Sequence, residues 1–340
     1  CRRRYSAMAA GNGRTERKRV VVTHPLPAER LEALAAWCEL EVLQGAQPLS
    51  QALSPRQLAS CSGLICLLTD AIDIPLLDAM PKLEFVSSVS VGVDHIDVET
   101  LTRRNIPVGN TPGVLVDATA DTAFALLLAA ARRVAEGDRY IREGNWGRDT
   151  RWSPDFFLGK DVSGGTLGII GLGAIGQAVA RRAAGFGMSV LGWTPSGREV
   201  PGVDSVSLEE LLLRSDFVSV HLALAKETRN MLDAEKIAAM KPKAVLVNTA
   251  RGGIVDEAAL VAALDSGHLY AAGLDVFERE PIAMDDPLLR HPRVVAVPHI
   301  GSATTLTRGK MVELAVSNAT AALQGQPMLH CVNPAVYAAR

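Results

Sequence analysis

The sequence predicts an α/β fold built on two doubly wound parallel sheets. Three observations carry this. Short β-rich runs alternate with helical patterns along almost the whole chain. Many of the runs are apolar on both faces, as strands covered by helices on either side must be. The 340 residues suffice for roughly two domains of about 150 residues each.

In chain order, residues 1–18 read as a tail. The tail is arginine-rich and acid-poor, and two readings stand for it: an unstructured extension, or part of an organelle transit peptide. The runs "RVVVT" (19–23), "GLICLLT" (63–69) and "LEFVSSVS" (83–90) read as strands. Ser54 before Pro55 reads as an N-cap followed by Pro at the first helical position. Residues 115–143 read as the longest helical stretch, with Ala123, Leu127, Ala130 and Val134 on one apolar face. That stretch is either an ordinary core helix or an arm that packs on a second protomer. Beyond it, "TLGIIG" (166–171), "MSVLGW" (188–193), "DFVSVHL" (216–222), "KAVLVNT" (243–249), "LYAAGLDV" (269–276) and "RVVAVP" (293–298) read as strands of a second block. Ser207 to Glu210 has the spacing of a capping box, and Asp256 opens a helix that Gly267 stops. Repeated β-α-β units imply right-handed crossovers in both blocks.

Composition narrows the partners. Thirty-five basic residues against 37 acidic leave a net charge of −2, which gives no reason to expect nucleic acid or an anionic membrane. No apolar run is long enough to span a bilayer. The five cysteines, Cys1, Cys38, Cys61, Cys66 and Cys331, form no C-x-x-C pair. This argues against a disulfide or zinc framework and for a reducing compartment, read here as the cytoplasm. No metal site is expected.

Gly171, Gly173 and Gly176 have the spacing G-x-G-x-x-G between a strand and a helix. Gly171 permits the tight turn, Gly173 the approach of a pyrophosphate, and Gly176 close packing of helix on strand. The helix N-terminus offers free N–H groups to the phosphates. A site for NAD would carry an acidic residue about 20 positions on. Here that place reads "WTPSGR", with Thr194, Ser196 and Arg198 as hydrogen-bond donors. An arginine pairs with phosphate, so the loop predicts binding of the 2′-phosphate: NADP(H) is preferred, with NAD(H) as the alternative.

Three later stretches place polar groups just beyond strands, where open α/β sheets bind ligands. They are "VNTARGGIVDE" with Arg251, "AAGLDVFEREP" with Asp275 and Glu280, and "VVAVPHIGSAT" with His299. Together with "SVSVGVDHIDVE", "GNTPGVLVDATAD", "GLGAIGQAVARR" and "GNWGRDTRWSPDFFLG", these motifs make the chain resemble the D-isomer-specific 2-hydroxyacid dehydrogenases, within them the glyoxylate/hydroxypyruvate reductases. The resemblance runs from about Arg19 to Pro334.

The resemblance implies a Rossmann nucleotide domain (112–301) inserted into a flavodoxin-like substrate domain (19–111 and 302–340), with a helix near 305–323 returning to the latter. It implies reduction of glyoxylate and hydroxypyruvate to glycolate and D-glycerate by hydride transfer, with NADPH as the donor that the loop predicts and a homodimer as the expected working state. His299 would be the general acid, Glu280 its orienting partner, and Arg251 the group that binds the substrate carboxylate and polarises the ketone. Asp275 would contact the nicotinamide amide and Thr119 would line its pocket. Ala174 and Ile175 in the glycine loop, Thr249 and Ala250 before Arg251, and Gly301 after His299 are further expected cofactor contacts. The N–H groups of Val91, Gly92 and Val93 would hold the carboxylate. Trp152 is either plain core or a residue that reaches a neighbouring protomer's site. His95 and His221 are expected in surface or packing roles. Ala223, Leu224 and Ala225 depart from the family's usual Pro-Leu-Thr, which predicts a looser cofactor-facing loop. Two alternatives remain: a relative acting on another 2-hydroxy acid, or a dinucleotide-sensing corepressor on the same fold.

Overall fold

The computed structural model describes residues 2–5, 17–45, 47–147 and 149–338. The transit-peptide reading therefore falls mostly on residues 6–16, outside the described ones. The chain forms two compact units, one of residues Cys1–Val114 with Thr304–Arg340, the other of Leu115–Ala303.

The first unit holds six strands: β1 (Arg2–Tyr5), β2 (Arg19–Val22), β3 (Glu39–Leu43), β4 (Gly63–Cys66), β5 (Phe85–Ser88) and β6 (Val108–Gly109). Their order is β1-β3-β2-β4-β5-β6. All neighbours are parallel except β1, which runs antiparallel to β3. The parallel part has the flavodoxin-like order. Strand β1 corrects the expectation of an unstructured tail for residues 2–5, because the open edge of β3 offers unpaired backbone groups that a further strand can use. Residues 17 and 18 are also tied down: the Arg17 guanidinium donates to the carbonyls of Ala35 (3.2 Å) and Ala36 (2.7 Å). The helix Thr305–Leu323 packs on β5, where Ser87 Oγ donates to the Ala315 carbonyl at 2.8 Å.

The second unit holds β7 (Thr166–Ile170), β8 (Ser189–Trp193), β9 (Asp204–Ser205), β10 (Phe217–Val220), β11 (Val245–Asn248), β12 (Ala271–Leu274) and β13 (Val294–Ala296). The order β13-β12-β11-β10-β7-β8-β9 is parallel throughout and reverses direction at β7, as in a Rossmann sheet. Buried aliphatic clusters cover both of its faces, one centred on Leu211, Leu246 and Leu260, the other on Leu127, Leu167 and Val247.

Two expectations about helices need correction. The stretch 115–143 is two helices, Val116–Ala131 and Val134–Arg142, and the longest helix is instead Thr305–Leu323. The break falls at Arg133, which turns at φ 57° while its side chain pairs with Glu136 (2.5 Å) and stacks over Phe157 (4.0 Å). Ala123, Leu127 and Ala130 are buried as expected, but Val134, past the break, is exposed. At Ser207 the capping box is half formed. Its side chain accepts from the Glu210 N–H, while the Glu210 carboxylate pairs with Arg214 instead of reaching back.

Candidate active site

The chemistry-bearing residues of the second unit stand where its strands end. Beyond β7, Gly171 adopts φ 102°, and a Cβ there would come within 2.6 Å of the His221 carbonyl. Gly173 caps the helix Ala174–Ala184 with no side chain at its N-terminus, so the first N–H groups, Ala174 and Ile175 among them, remain open. A Cβ at Gly173 would meet nothing within 4 Å, whereas one at Gly176 would lie 2.0 Å from the Gly171 carbonyl. One glycine thus keeps space in front of the helix open, and the other lets helix and strand close together.

Beyond β8, the Trp193 carbonyl accepts from Gly171 N–H (2.8 Å), and Gly197 N–H donates to the Thr194 carbonyl (3.0 Å). Thr194 is half-buried at the base of this turn. Ser196 and Arg198 are exposed, and no side-chain partner engages either of them among the described residues. The first acidic residue after Trp193 is Glu199.

Beyond β11 the backbone turns around Asn248, a residue the sequence reading passed over. Its buried side chain accepts from Ala250 N–H (3.0 Å) and donates to the Arg251 carbonyl (2.8 Å), which sets the path of Thr249, Ala250 and Arg251. The next glycine is forced as well: a Cβ at Gly252 would sit 1.8 Å from the Phe277 carbonyl carbon. The hydroxyl of Thr249 is buried and has no hydrogen-bond partner among the described residues. Such an atom is costly unless a ligand or water satisfies it. With the open N–H groups of the glycine loop and the space over Gly173, it makes this face fit a dinucleotide.

His299, three residues beyond β13, adopts φ 51°, and its Nδ1 lies 2.7 Å from Glu280 Oε2. Its Nε2 has no protein partner among the described residues. The other Glu280 oxygen accepts from Phe277 N–H at 3.0 Å. Burial alone would raise the Glu280 carboxyl. The hydrogen bonds from His299 and Phe277 and the charges of His299 and Arg251 outweigh it and hold the carboxyl below its ordinary range. Arg251 is therefore electrostatically joined to the His299–Glu280 pair, and its Nη1 donates to the Ala250 carbonyl (2.8 Å). Asp275 follows β12, 1% exposed, and its carboxylate accepts from the N–H groups of Ile300 (2.5 Å) and Gly301 (2.8 Å). Burial raises this carboxyl in spite of those two bonds. A Cβ at Gly301 would come within 2.9 Å of Asp275 and 3.3 Å of Thr119, so Thr119, Asp275 and Gly301 form one cluster.

Other expected residues lie apart or in the first unit. Val91, Gly92 and Val93 form a half-buried loop after β5. Trp152 is 79% exposed, which removes the plain-core reading. His221 is a packing residue, with Nε2 2.8 Å from Ser219 Oγ, and burial pushes its imidazole down to about 4. The loop at Ala223 to Ala225 is stapled: Thr228 Oγ accepts from Ala225 N–H and donates to the Ala223 carbonyl, both at 2.8 Å. No group of three or more metal-ligating side chains is found among the described residues. No helix among them is long and apolar enough to cross a membrane.

A parallel sheet with a dinucleotide loop, and a His–Glu pair beside an arginine at its strand ends, define an NAD(P)-dependent oxidoreductase. Residues 124–301 match the family model for the D-isomer specific 2-hydroxyacid dehydrogenase, NAD binding domain, and the chain belongs to that family. It is 48% identical over 326 residues to a glyoxylate reductase of Korarchaeum cryptofilum, covering 95% of this chain and 98% of that one. Among solved structures it is similar to a protein of Thermus thermophilus (TM-score 0.85, 46% identity, 92% and 99% covered). It is also similar to an NADPH-dependent glyoxylate/hydroxypyruvate reductase of Sinorhizobium meliloti in complex with NADP and malonate (TM-score 0.83, 35% identity, 94% and 98% covered).

Proposed function

We propose that this chain reduces glyoxylate and hydroxypyruvate to glycolate and D-glycerate, with NADPH preferred over NADH. The observation that carries the reading is the 2.7 Å contact between His299 Nδ1 and Glu280, with Nε2 left without a partner among the described residues. The bound reduced nicotinamide supplies a hydride to the carbonyl carbon. His299 Nε2 gives its proton to the carbonyl oxygen, and Glu280 keeps the ring oriented through Nδ1. Arg251 pairs with the substrate carboxylate and draws charge toward the reacting oxygen. The N–H groups of Val91, Gly92 and Val93 donate to the carboxylate of a bound substrate. On the cofactor, the glycine-loop N–H groups take the pyrophosphate, and Thr194, Ser196 and Arg198 take the adenosine 2′-phosphate. Thr249 Oγ, Ala250, Thr119, Asp275 and Gly301 line the nicotinamide end.

The 48%-identical glyoxylate reductase supports the substrate, and the 35%-identical reductase solved with NADP supports the cofactor. The exposure of Val134, Ile141, Trp146 and Trp152 on one segment supports a homodimer in which Trp152 shapes the partner's site. The test is the fall of NADPH absorbance with glyoxylate, repeated with hydroxypyruvate and with NADH. Turnover with both acids, faster with NADPH, is expected. Dinucleotide binding without turnover of any small 2-oxo acid would overturn the reading in favour of a dinucleotide sensor.

A further inference from the structure

The loop Ser90–Val93 offers a row of backbone donors, and the structure shows what aims them. Among the described residues no oxygen accepts from the N–H groups of Val91, Gly92 or Val93. The carbonyls on the other side of the same three peptide planes are all engaged. The Ser90 carbonyl accepts from Thr111 N–H at 2.8 Å. The Val91 carbonyl accepts from Asn110 Nδ2 at 2.9 Å, and the Gly92 carbonyl from Ser90 Oγ at 2.7 Å. In a planar trans peptide the C=O of one residue and the N–H of the next point in opposite directions. Each bond that draws a carbonyl inward therefore turns the following N–H outward.

The proton on Ser90 is itself fixed. Ser90 Oγ lies 2.7 Å from Ser88 Oγ, which lies 3.1 Å from His95 Nε2. Ser90 spends its one proton on the Gly92 carbonyl, so it accepts from Ser88. Ser88 has then spent its own proton and accepts from His95, whose Nε2 must carry hydrogen. Both serines are at most 3% exposed, so no water competes for these bonds.

We infer that Ser90 and Asn110 are positioning residues that aim the Val91–Val93 N–H groups at the substrate carboxylate, with Ser88 and His95 fixing the direction of the Ser90 hydroxyl. The inference rests on the reading of that loop as the carboxylate site. Its test uses the reductase with glyoxylate and with glyoxal, the uncharged dialdehyde that lacks the carboxylate. Wild type should use glyoxylate with the higher kcat/KM. One lost hydrogen bond corresponds to about a 3- to 10-fold change, so Ser90→Ala should raise the glyoxylate KM by that factor. Its kcat should change less, and its KM for NADPH and its kcat/KM for glyoxal should hold. Ser90→Thr, which keeps the hydroxyl, should restore the glyoxylate KM. Asn110→Ala should act in the same direction, so the inference remains testable if one variant folds poorly. A wild type that prefers glyoxylate, with Ser90→Ala and Asn110→Ala keeping that preference in full, would overturn the inference and leave the loop reading standing. A wild type that treats the two substrates alike would overturn the loop reading and the inference with it.

Discussion

Replacing Arg198 by alanine tests the cofactor reading at its most exposed point. Arg198 sits in the turn after β8 with no side-chain partner among the described residues, so pairing with a phosphate breaks nothing already formed. A hydrogen bond to a charged group is worth about 1.5–3 kcal/mol. Solvent exposure and salt push this toward the lower figure. At about 1.4 kcal/mol per factor of ten, Arg198→Ala should lower kcat/KM for NADPH about 10-fold. NADH has no phosphate there and should be affected about twofold at most. Arg198→Lys keeps the charge without the planar fork and should fall between. Thr194→Asp should go further, repelling the 2′-phosphate while offering a ribose acceptor to NADH. The assay is kcat/KM with both cofactors at two ionic strengths, and the NADPH advantage should widen at low salt. Equal losses with both cofactors, or a wild type that favours NADH, would refute the assignment of Thr194, Ser196 and Arg198 to the phosphate.

Glu280→Gln should lower kcat while leaving the KM for NADPH nearly unchanged, because the His299 ring loses the carboxylate 2.7 Å away that orients it; an unchanged kcat would remove Glu280 from its role. His299→Ala should cut turnover by orders of magnitude with NADPH affinity nearly intact, checked by steady-state kinetics beside a binding titration. The two loop glycines should separate: Gly173→Ala, with nothing within 4 Å, should keep the apo melting temperature and lose dinucleotide affinity, whereas Gly176→Ala, 2.0 Å from the Gly171 carbonyl, should lower both. His221, held down at about 4, is neutral in the fold and protonates in the unfolded chain near pH 6.5. Its contribution is thus present above pH 6.5 and is lost as pH falls toward 4, by about 3 kcal/mol at most; His221→Gln should flatten that part of a stability-versus-pH series.

What the sequence shows and what it hides divide along physical lines. Strands such as β7, β10 and β11 are legible because they are apolar on both faces and end at a chemical motif. Strand β3 is not, because its centre is Glu41, a charge that would ordinarily mark a surface. In the fold Glu41 is 2% exposed, paired with Arg19 and hydrogen-bonded by Gln57 at 3.1 Å. The break at Arg133 hides for a related reason: a run of good helix formers gives no local signal that one residue will take a left-handed turn. Arg251, Glu280 and His299 stand out in the sequence because their chemistry is carried by their own side chains. Asn248, Ser90 and Asn110 instead bond to backbone carbonyls, and a polar residue at a strand end looks the same in sequence whether it does so or faces water.

Asp275 shows how closely the cofactor and catalytic assignments depend on one another. A non-glycine residue in the left-handed region costs roughly 1–2 kcal/mol, and His299 holds that conformation at φ 51°. Three successive N–H groups offset the cost through a single residue. His299 N–H donates to the Asp275 carbonyl at 2.9 Å, and the N–H groups of Ile300 and Gly301 donate to its carboxylate. The end of β12 thereby grips the chain beyond β13 and sets the direction of the imidazole before any ligand arrives. Each carboxylate oxygen still has a lone pair after accepting one N–H, so the same group can receive a nicotinamide amide without releasing His299. The glycine beside this buried acid follows from the same geometry: any side chain at Gly301 would push against Asp275, and with it the backbone that holds His299.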